Sequence, residues 1–469
     1  MPELPLLPIH ELAPMIQRRE ISPVDVVREL FERIDRLEPR IRGYITLQPE
    51  HAMDRAKAAE AEIQSGTYRG PLHGVPMGIK DNIAVEGWPT TNGSAVMSDF
   101  VTDYDATVVS RLRNAGAIVV GKNNMHEWAM GGTCSNGAFG TVHNPWDESR
   151  VPGGSSGGSA AAVSASLAYG SIGTDGMGSI RTPASYCGVV GYKPTYGLVS
   201  RFGQLPPTSS TSDHLGPIAK DATDAALFMS VLAGYDPNDP TSIRSASKDY
   251  VAGIDRGISG LRIGIPVGFF FDQTDPEVGA IVRAGIAALA SLGAEVREVH
   301  IPWVDKIGLV SAAQGNESNL FLLELARQGP QSFGDRTIFD RVVAGQFVRR
   351  ADANKANQLR SLIRREFVNA LQEVDVIVTP TNVSTAFPID VEGALPGGKP
   401  GGNLAITNTL TSPFNFTGMP AISVPCGFTA AGLPVGMTIS GRHWEDDVVL
   451  RTARAYESVS GGYKAPPLD

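Results

Sequence analysis

Two glycine-rich turns carry serines, and one apolar run ends in a lysine. The first turn, Pro152-Gly-Gly-Ser-Ser-Gly-Gly-Ser159, is followed directly by Ala160-Ala-Ala-Val-Ser-Ala-Ser-Leu167. Composition alone would make it a flexible linker. The alanine-rich run instead predicts a helix with the Gly-Ser turn at its positive end. Glycines at such a place let backbone N–H groups approach a reacting oxygen or an anion. A phosphate loop would close with Gly-Lys-Ser/Thr, whereas this chain reads Gly158-Ser159-Ala160, which disfavours phosphate binding. The second turn, Gly173-Thr-Asp-Gly-Met-Gly-Ser-Ile-Arg-Thr-Pro183, presents Ser179. A serine hydroxyl is inert without a base. None of the 8 histidines stands in a recognisable motif. The other base open to serine is a lysine made neutral by burial. Gly74-Val-Pro-Met-Gly-Ile-Lys-Asp-Asn82 places Lys80 at the end of a strand-like run. Serine-based acyl transfer is the chemistry these residues could perform.

Such groups need a rigid scaffold, and the rest of the chain predicts one. The first sixty-odd residues read as helical, with Ser22-Pro23 as an N-cap and first-turn proline before Val26, Val27, Leu30, Phe31 and Ile34 at helical spacing. A helix is expected over Val108–Ala115, then a buried strand at Ala117–Val120. Leu261–Pro266, a helix from Asp275-Pro276 to about Leu292, and the alternating Ala294–Ile301 form a β-α-β unit. With Val374–Val378 as a further strand, these imply an α/β sheet covered by helices. Pro237–Ser247 and Gly397–Gly402 have the composition of loops that could lie over a site.

Composition narrows the function classes. The 469 residues are 42% hydrophobic and 19% charged, which suits one large globular body. Glycine is in excess, 52 residues or about 11% against a usual ~7%. The net charge is −9 and no Lys/Arg-rich run occurs, which argues against nucleic acid as a partner. Cys134, Cys187 and Cys426 are widely spaced without a CxxC pair, so neither a disulfide framework nor a structural metal site is expected. The start of the chain has no signal-like pattern, and no stretch offers the ~20 apolar residues of a membrane span. A cytoplasmic enzyme without metal or cofactor is the expectation.

The same residues resemble the amidase signature family. Lys80 in Gly-Ile-Lys-Asp-Asn, the Gly-Gly-Ser-Ser-Gly-Gly-Ser run and Gly-Thr-Asp-x-x-Gly-Ser-Ile-Arg carry the likeness. It continues through Gly121-Lys-Asn-Asn-Met-His-Glu127, Gly140-Thr-Val-His-Asn-Pro-Trp146 and Cys187-Gly-Val-Val-Gly-Tyr-Lys-Pro194. It resumes at Asn415-Phe-Thr-Gly-Met-Pro-Ala-Ile-Ser-Val-Pro-Cys-Gly427 and Gly432-Leu-Pro-Val-Gly436. The resemblance implies one domain over 1–469, a large mixed β-sheet surrounded by α-helices. Within it, 1–65 is a helical segment, 66–240 and 371–469 are the family core, and 241–370 is variable. It further implies Ser179 as nucleophile, Ser155 as the bridging serine after a cis peptide, and Lys80 as the neutral base. Backbone N–H groups at Gly176, Met177, Gly178 and Ser179 would form the oxyanion hole, with Asp175 and Arg181 bracing the loop.

Two departures bear on the substrate. Gly176 and Met177 stand where the family places a larger residue and a glycine. If the second position needs a positive φ, Met177 is strained; otherwise its thioether is free to line an acyl pocket. The glutaminase subunit of tRNA-dependent amidotransferases, a partner-bound member of the family, pairs its substrate's ammonium with an acid seven residues before the Asn of Asn-x-x-Gly-x-Pro. Here that position is Asn408. The sequence reading therefore prefers a stand-alone amidohydrolase for a small amide, anilide or hydrazide, with esters as side substrates. The amidotransferase glutaminase is its alternative. Gly131 and Gly132, in a loop that borders substrate in relatives, are expected to leave room for a bulky, aromatic acyl group. Self-association into a homodimer is compatible with either reading.

Overall fold

The computed structural model describes residues 3–206, 211–244, 248–314, 320–389 and 408–468. The predicted helices open the chain at Ile9–Gln17, Pro23–Ile41 and Pro49–Gln64. The Ser22 hydroxyl caps the second of these, accepting from the Val24 N–H at 3.0 Å. The described residues also form eleven strands: β1 (Tyr44–Leu47), β2 (Pro76–Lys80), β3 (Ile118–Asn123), β4 (Gly170–Asp175), β5 (Val190–Lys193), β6 (His214–Ala219), β7 (Arg262–Pro266), β8 (Glu295–Val299), β9 (Val376–Pro380), β10 (Ala421–Phe428) and β11 (Pro434–Gly441). They form one mixed sheet in the order β1-β3-β2-β4-β6-β5-β10-β11-β9-β7-β8. β2 runs parallel to β3 and β4, and β7 parallel to β8 and β9, while the other neighbours are antiparallel. The segment expected to be variable supplies β7 and β8 to the far edge.

Strands β2 to β6 are buried along their whole length, as strands must be when helices cover both faces. The alanine-rich helix spans Gly157–Ser164 and packs on β2, β3, β4 and β6. It therefore begins inside the Gly-Ser turn, earlier than the alanine run suggests. Gly158 permits this start: a Cβ there would lie 2.2 Å from the Asn124 carbonyl oxygen and 2.6 Å from that of Gly43. Small residues on this helix bring its N-terminus and the turn before it down onto the sheet.

The alternation expected at Ala294–Ile301 does not mark a buried face. β8 is an edge strand, exposed from Glu295 to Glu298, and its charges keep the edge from pairing with another chain. β1 interrupts the segment 1–65 that was expected to be helical; Tyr44–Leu47 instead joins the opposite edge against β3. Residues 237–244 of one expected loop are tied to the Gly197–Arg201 turn, with the Ile243 N–H donating to the Gly197 carbonyl at 3.0 Å. The other, Gly397–Gly402, lies outside the described residues. Among the described residues no helix is long and apolar enough to cross a membrane.

Gly158→Ala is expected to lower stability by about 3 kcal/mol, read as a fall in the denaturant midpoint. Gly308→Ala, where nothing lies within 4 Å of the new methyl, should leave that midpoint unchanged.

Candidate active site

β2 delivers Lys80 into the sheet interior, where the side chain is fully buried. Its Nζ donates to Ser155 Oγ at 2.7 Å and to Thr174 Oγ1 at 2.7 Å. Burial pushes the ammonium down to about 7, with the Cys134 thiol and the Asp213 and Asp175 carboxylates restoring only part of the loss. A substantial fraction of Lys80 is therefore an uncharged amine near neutral pH. Ser155 is also fully buried, in the turn before the Gly157–Ser164 helix, and the Gly154–Ser155 peptide is cis.

Ser179 lies in the neighbouring turn, partly open to solvent. The two serine turns are fastened together by the Ser156 N–H, which donates to the Ser179 carbonyl at 3.2 Å. Among the described residues no hydrogen bond links Ser155 Oγ to Ser179 Oγ. The contact between Lys80 and the Ser155 hydroxyl is thus formed, and the contact to the Ser179 hydroxyl is not closed. Such bonds are commonly long before substrate is bound.

The turn bearing Ser179 is built around Asp175, the last residue of β4. Asp175 Oδ1 accepts from the Gly178 N–H at 2.6 Å and Oδ2 from the Ile180 N–H at 3.2 Å. Arg181 reaches both oxygens at 3.1 Å, and Asn415 Nδ2 donates to Oδ1 at 2.7 Å. Burial opposes the charge, but the Arg181 guanidinium and these donors hold the Asp175 carboxyl well below the usual carboxylate range. Arg181 and Asn415 also bond each other at 2.6 Å.

The Gly178 amide is accordingly engaged by Asp175 and does not point to a developing oxyanion. The amides of Gly176, Met177 and Ser179 have no partner among the described residues and are the donors the turn leaves open. The positive φ of this turn falls on Gly178, at 135°, and not on Met177, so the strain considered for Met177 is absent. Thr411 Oγ1 instead fixes the Met177 carbonyl at 2.6 Å. The Met177 side chain leans on the apolar cluster of Phe270, Val310, Leu410 and Phe414. Its sulfur accepts from Ser311 Oγ at 3.1 Å.

Gly131 and Gly132 lie close by, but the space is not vacant. A Cβ on Gly131 would stand 2.0 Å from His126 Nε2, and one on Gly154 would stand 2.9 Å from the Gly131 carbonyl oxygen. The His126 ring and the serine turn itself fill the room expected for a bulky acyl group at that point. Sequence reasoning also passed over Thr174, the second acceptor of Lys80, and Asn82, whose Nδ2 donates to Thr174 Oγ1 at 3.3 Å. Both stand inside the matched motifs, beside Asp175 and Lys80. Thr411 and Asn415 come from 230 residues downstream, too far for any local pattern to pair them with this turn.

Among the described residues one set of groups could hold a metal ion by proximity: ligand atoms of His10, Asp221 and Asp224 lie within 4.8 Å of one another. These groups already satisfy each other. Asp224 accepts from the Ile9 and His10 N–H groups at 2.7 and 2.9 Å, and the His10 ring nitrogen lies 3.1 Å from its Oδ1. Despite burial, which opposes it, bonding to Asp221 and Asp224 pushes the His10 imidazolium up to about 10. The set fastens the first helix to the core.

Known proteins place this geometry in context. The family model described as Amidase matches residues 25–450. The chain is 40% identical to a glutamyl-tRNA(Gln) amidotransferase subunit of Moorella thermoacetica, over 99% of both chains. Its fold superimposes with a TM-score of 0.91 on a chain of a vestigial complex that bears on the origins of an s-triazine catabolic enzyme, at 31% identity over 98% of this chain and 100% of that one. A bacterial aryl acylamidase of the amidase signature enzymes matches with a TM-score of 0.88 and 26% identity, over 97% of this chain and 96% of that one. The chain belongs to the amidase signature family, enzymes that act on amide carbon–nitrogen bonds.

Proposed function

We propose that the chain is the amide-cleaving component, the glutaminase, of a glutamine-dependent tRNA amidotransferase, working through a Ser179 acyl-enzyme and folded as one amidase domain. The observation that carries this reading is the 40% identity to such a component from end to end. Local features weigh less than a likeness that runs through core and variable segments alike. In this reading Ser179 Oγ attacks the amide carbon while its proton passes to Ser155, whose own proton passes to neutral Lys80. The oxyanion rests on the Gly176 and Met177 amides. Ser155 returns a proton to the leaving nitrogen, ammonia departs, and water repeats the sequence on the acyl-enzyme. The partners are the other proteins of the assembly.

A second reading has one observation of its own. Asn408 occupies the place where the resemblance puts an acid for the substrate's ammonium, and its Oδ1 is buried without a hydrogen-bond partner among the described residues. A neutral acceptor suits a substrate that offers an N–H rather than a cation. This favours a stand-alone hydrolase for a small amide, anilide or hydrazide, with Met177 lining the acyl pocket.

Ammonia release by the purified chain separates the two. The amidotransferase reading expects glutamine to be hydrolysed, faster with the partner proteins added, and benzamide and benzhydrazide to be poor substrates. Turnover of benzamide or benzhydrazide without partners, with glutamine inert in both conditions, would replace it by the stand-alone reading.

Lys80 gives a second expectation, common to both readings. A base must be unprotonated, and the depressed lysine is neutral only above its shifted value. kcat/KM should therefore rise with pH through about 7 and level off above it. Lys80→Ala should lower kcat by about 10²- to 10⁴-fold and remove that rise. A Lys80→Ala enzyme that kept the same pH profile would defeat the lysine-base mechanism.

A further inference from the structure

The loop that backs the serine turn is held by a segment from elsewhere in the chain, and one side-chain pair among the links reaches the residue that bonds Ser155. The His126 N–H donates to the Ser155 carbonyl at 3.1 Å. Its ring fills the space beside Gly131, whose carbonyl packs against Gly154, the residue before Ser155. The far edge of the ring, Nε2, lies 3.0 Å from Asp335 Oδ2, and Nδ1 lies 3.4 Å from Thr133 Oγ1. His126 is nearly buried, whereas Asp335 is 24% exposed.

Asp335 is the N-cap of the helix Arg336–Gly345 in the variable segment, its Oδ1 accepting from the Thr337 N–H at 2.8 Å. Its own N–H donates to Glu127 Oε2 at 2.9 Å, and Ser94 Oγ holds the other Glu127 oxygen at 2.6 Å. Arg341 of the same helix donates to the Met130 carbonyl. Trp128, fully buried, packs with Leu322, Leu325, Ile338 and Val342 of this segment. Residues 126–130 thus lie between the variable segment and the serine turn; among the described residues of this stretch His126 alone hydrogen-bonds Ser155, whose carbonyl also accepts from Cys134 Sγ at 3.3 Å.

We infer that His126 and Asp335 are a positioning pair that sets Ser155 for proton transfer, so that the seating of the variable helix governs how well Lys80 and Ser155 activate Ser179. The pair touches no reacting atom; it acts through the Ser155 carbonyl and through Gly131 against Gly154. When Asp335 holds the ring, the Ser155 backbone has one place to sit. When the contact is lost, the ring and Gly131 shift, and the bridging hydroxyl with them. Whatever displaces the Arg336–Gly345 helix therefore reaches the catalytic bridge without touching substrate.

The inference rests on Ser179 being the nucleophile, so the test reads Ser179 directly and needs no natural substrate. A fluorophosphonate forms a bond from Ser179 Oγ to phosphorus as the P–F bond breaks, while the serine proton leaves by way of Ser155. The rate of this labelling, followed by intact mass on the full chain, measures activation of the nucleophile. Asp335→Ser keeps a good helix cap but is too short to reach His126. Asp335→Asn keeps both cap and reach. The expected result is labelling slowed by about 10- to 100-fold in Asp335→Ser and restored in Asp335→Asn, with both thermal midpoints within about 2 °C of the parent.

Labelling of Asp335→Ser at the parent rate would overturn the inference. So would equal slowing in both variants, or slowing that tracks a fall in thermal midpoint, since either marks a merely structural role. A parent chain that takes no label at Ser179 removes the nucleophile assignment itself and the inference with it. That outcome is distinguished by appearing before any substitution is made.

Discussion

Lys80 lies fully buried on β2 with two hydroxyls as the partners of its Nζ, and among the described residues no carboxylate comes within ion-pairing distance. Burial disfavours the ammonium there and pulls it down to about 7. Lys122, one strand away and equally buried, is lowered by burial as well, although Asp81 stands 3.4 Å from it. The buried amine dictates its surroundings. Strands on both sides must exclude water, so β2 sits between β3 and β4. The partners must be uncharged, so they are serine and threonine. The helix above must come very close, so it begins with glycines and continues with alanines.

Ser179 has the opposite requirement, since it must face solvent and substrate on a turn that does not move. The Asp175–Arg181–Asn415 cluster answers this by placing a carboxylate under the turn and directing its lone pairs to two backbone amides, a guanidinium and a side-chain amide. Removing one member of such a buried network leaves the others unsatisfied, which is why it specifies a single geometry. Lys80 is kept dry while the turn of Ser179 is kept charged and braced. The two environments meet along the short stretch from Thr174 to Ser179.

The catalytic candidates were legible in the sequence because each sits in a continuous stretch whose residue types conflict with an ordinary role. A lysine ending an apolar run and serines among glycines before an alanine helix are such conflicts. The N-terminal helices, the helix Pro276–Ser291 and strands β2, β3, β7 and β9 were legible from periodicity and caps, as at Ser22, whereas β4, β5, β6, β10 and β11 were not. The rest was not, for reasons of distance or ambiguity. Asn415 and Thr411 meet Asp175 and Met177 only after more than 230 residues of chain have folded between them. Gly131 and Gly132 suggested open space, yet a missing Cβ also admits a neighbouring ring, and His126 takes that place. The alternation in β8 came from an edge strand clothed in charge, which has the same period as a half-buried one. At Met177 the motif gave the position but not which residue bears the positive φ.

The seam between β5 and β10 has a consequence of another kind. Ala421 to Ser423 pair with Lys193 to Gly191, joining the half of the sheet that bears Lys80, Ser155 and Ser179 to the half that ends at β8. During synthesis β5 emerges long before β10, and until β10 arrives it is an apolar strand with a bare hydrogen-bonding edge. Pairings of such long range form slowly and leave intermediates prone to sticking to one another. A chain of this topology passes through its biosynthesis with its chemistry encoded but its sheet half closed until the last strands are made.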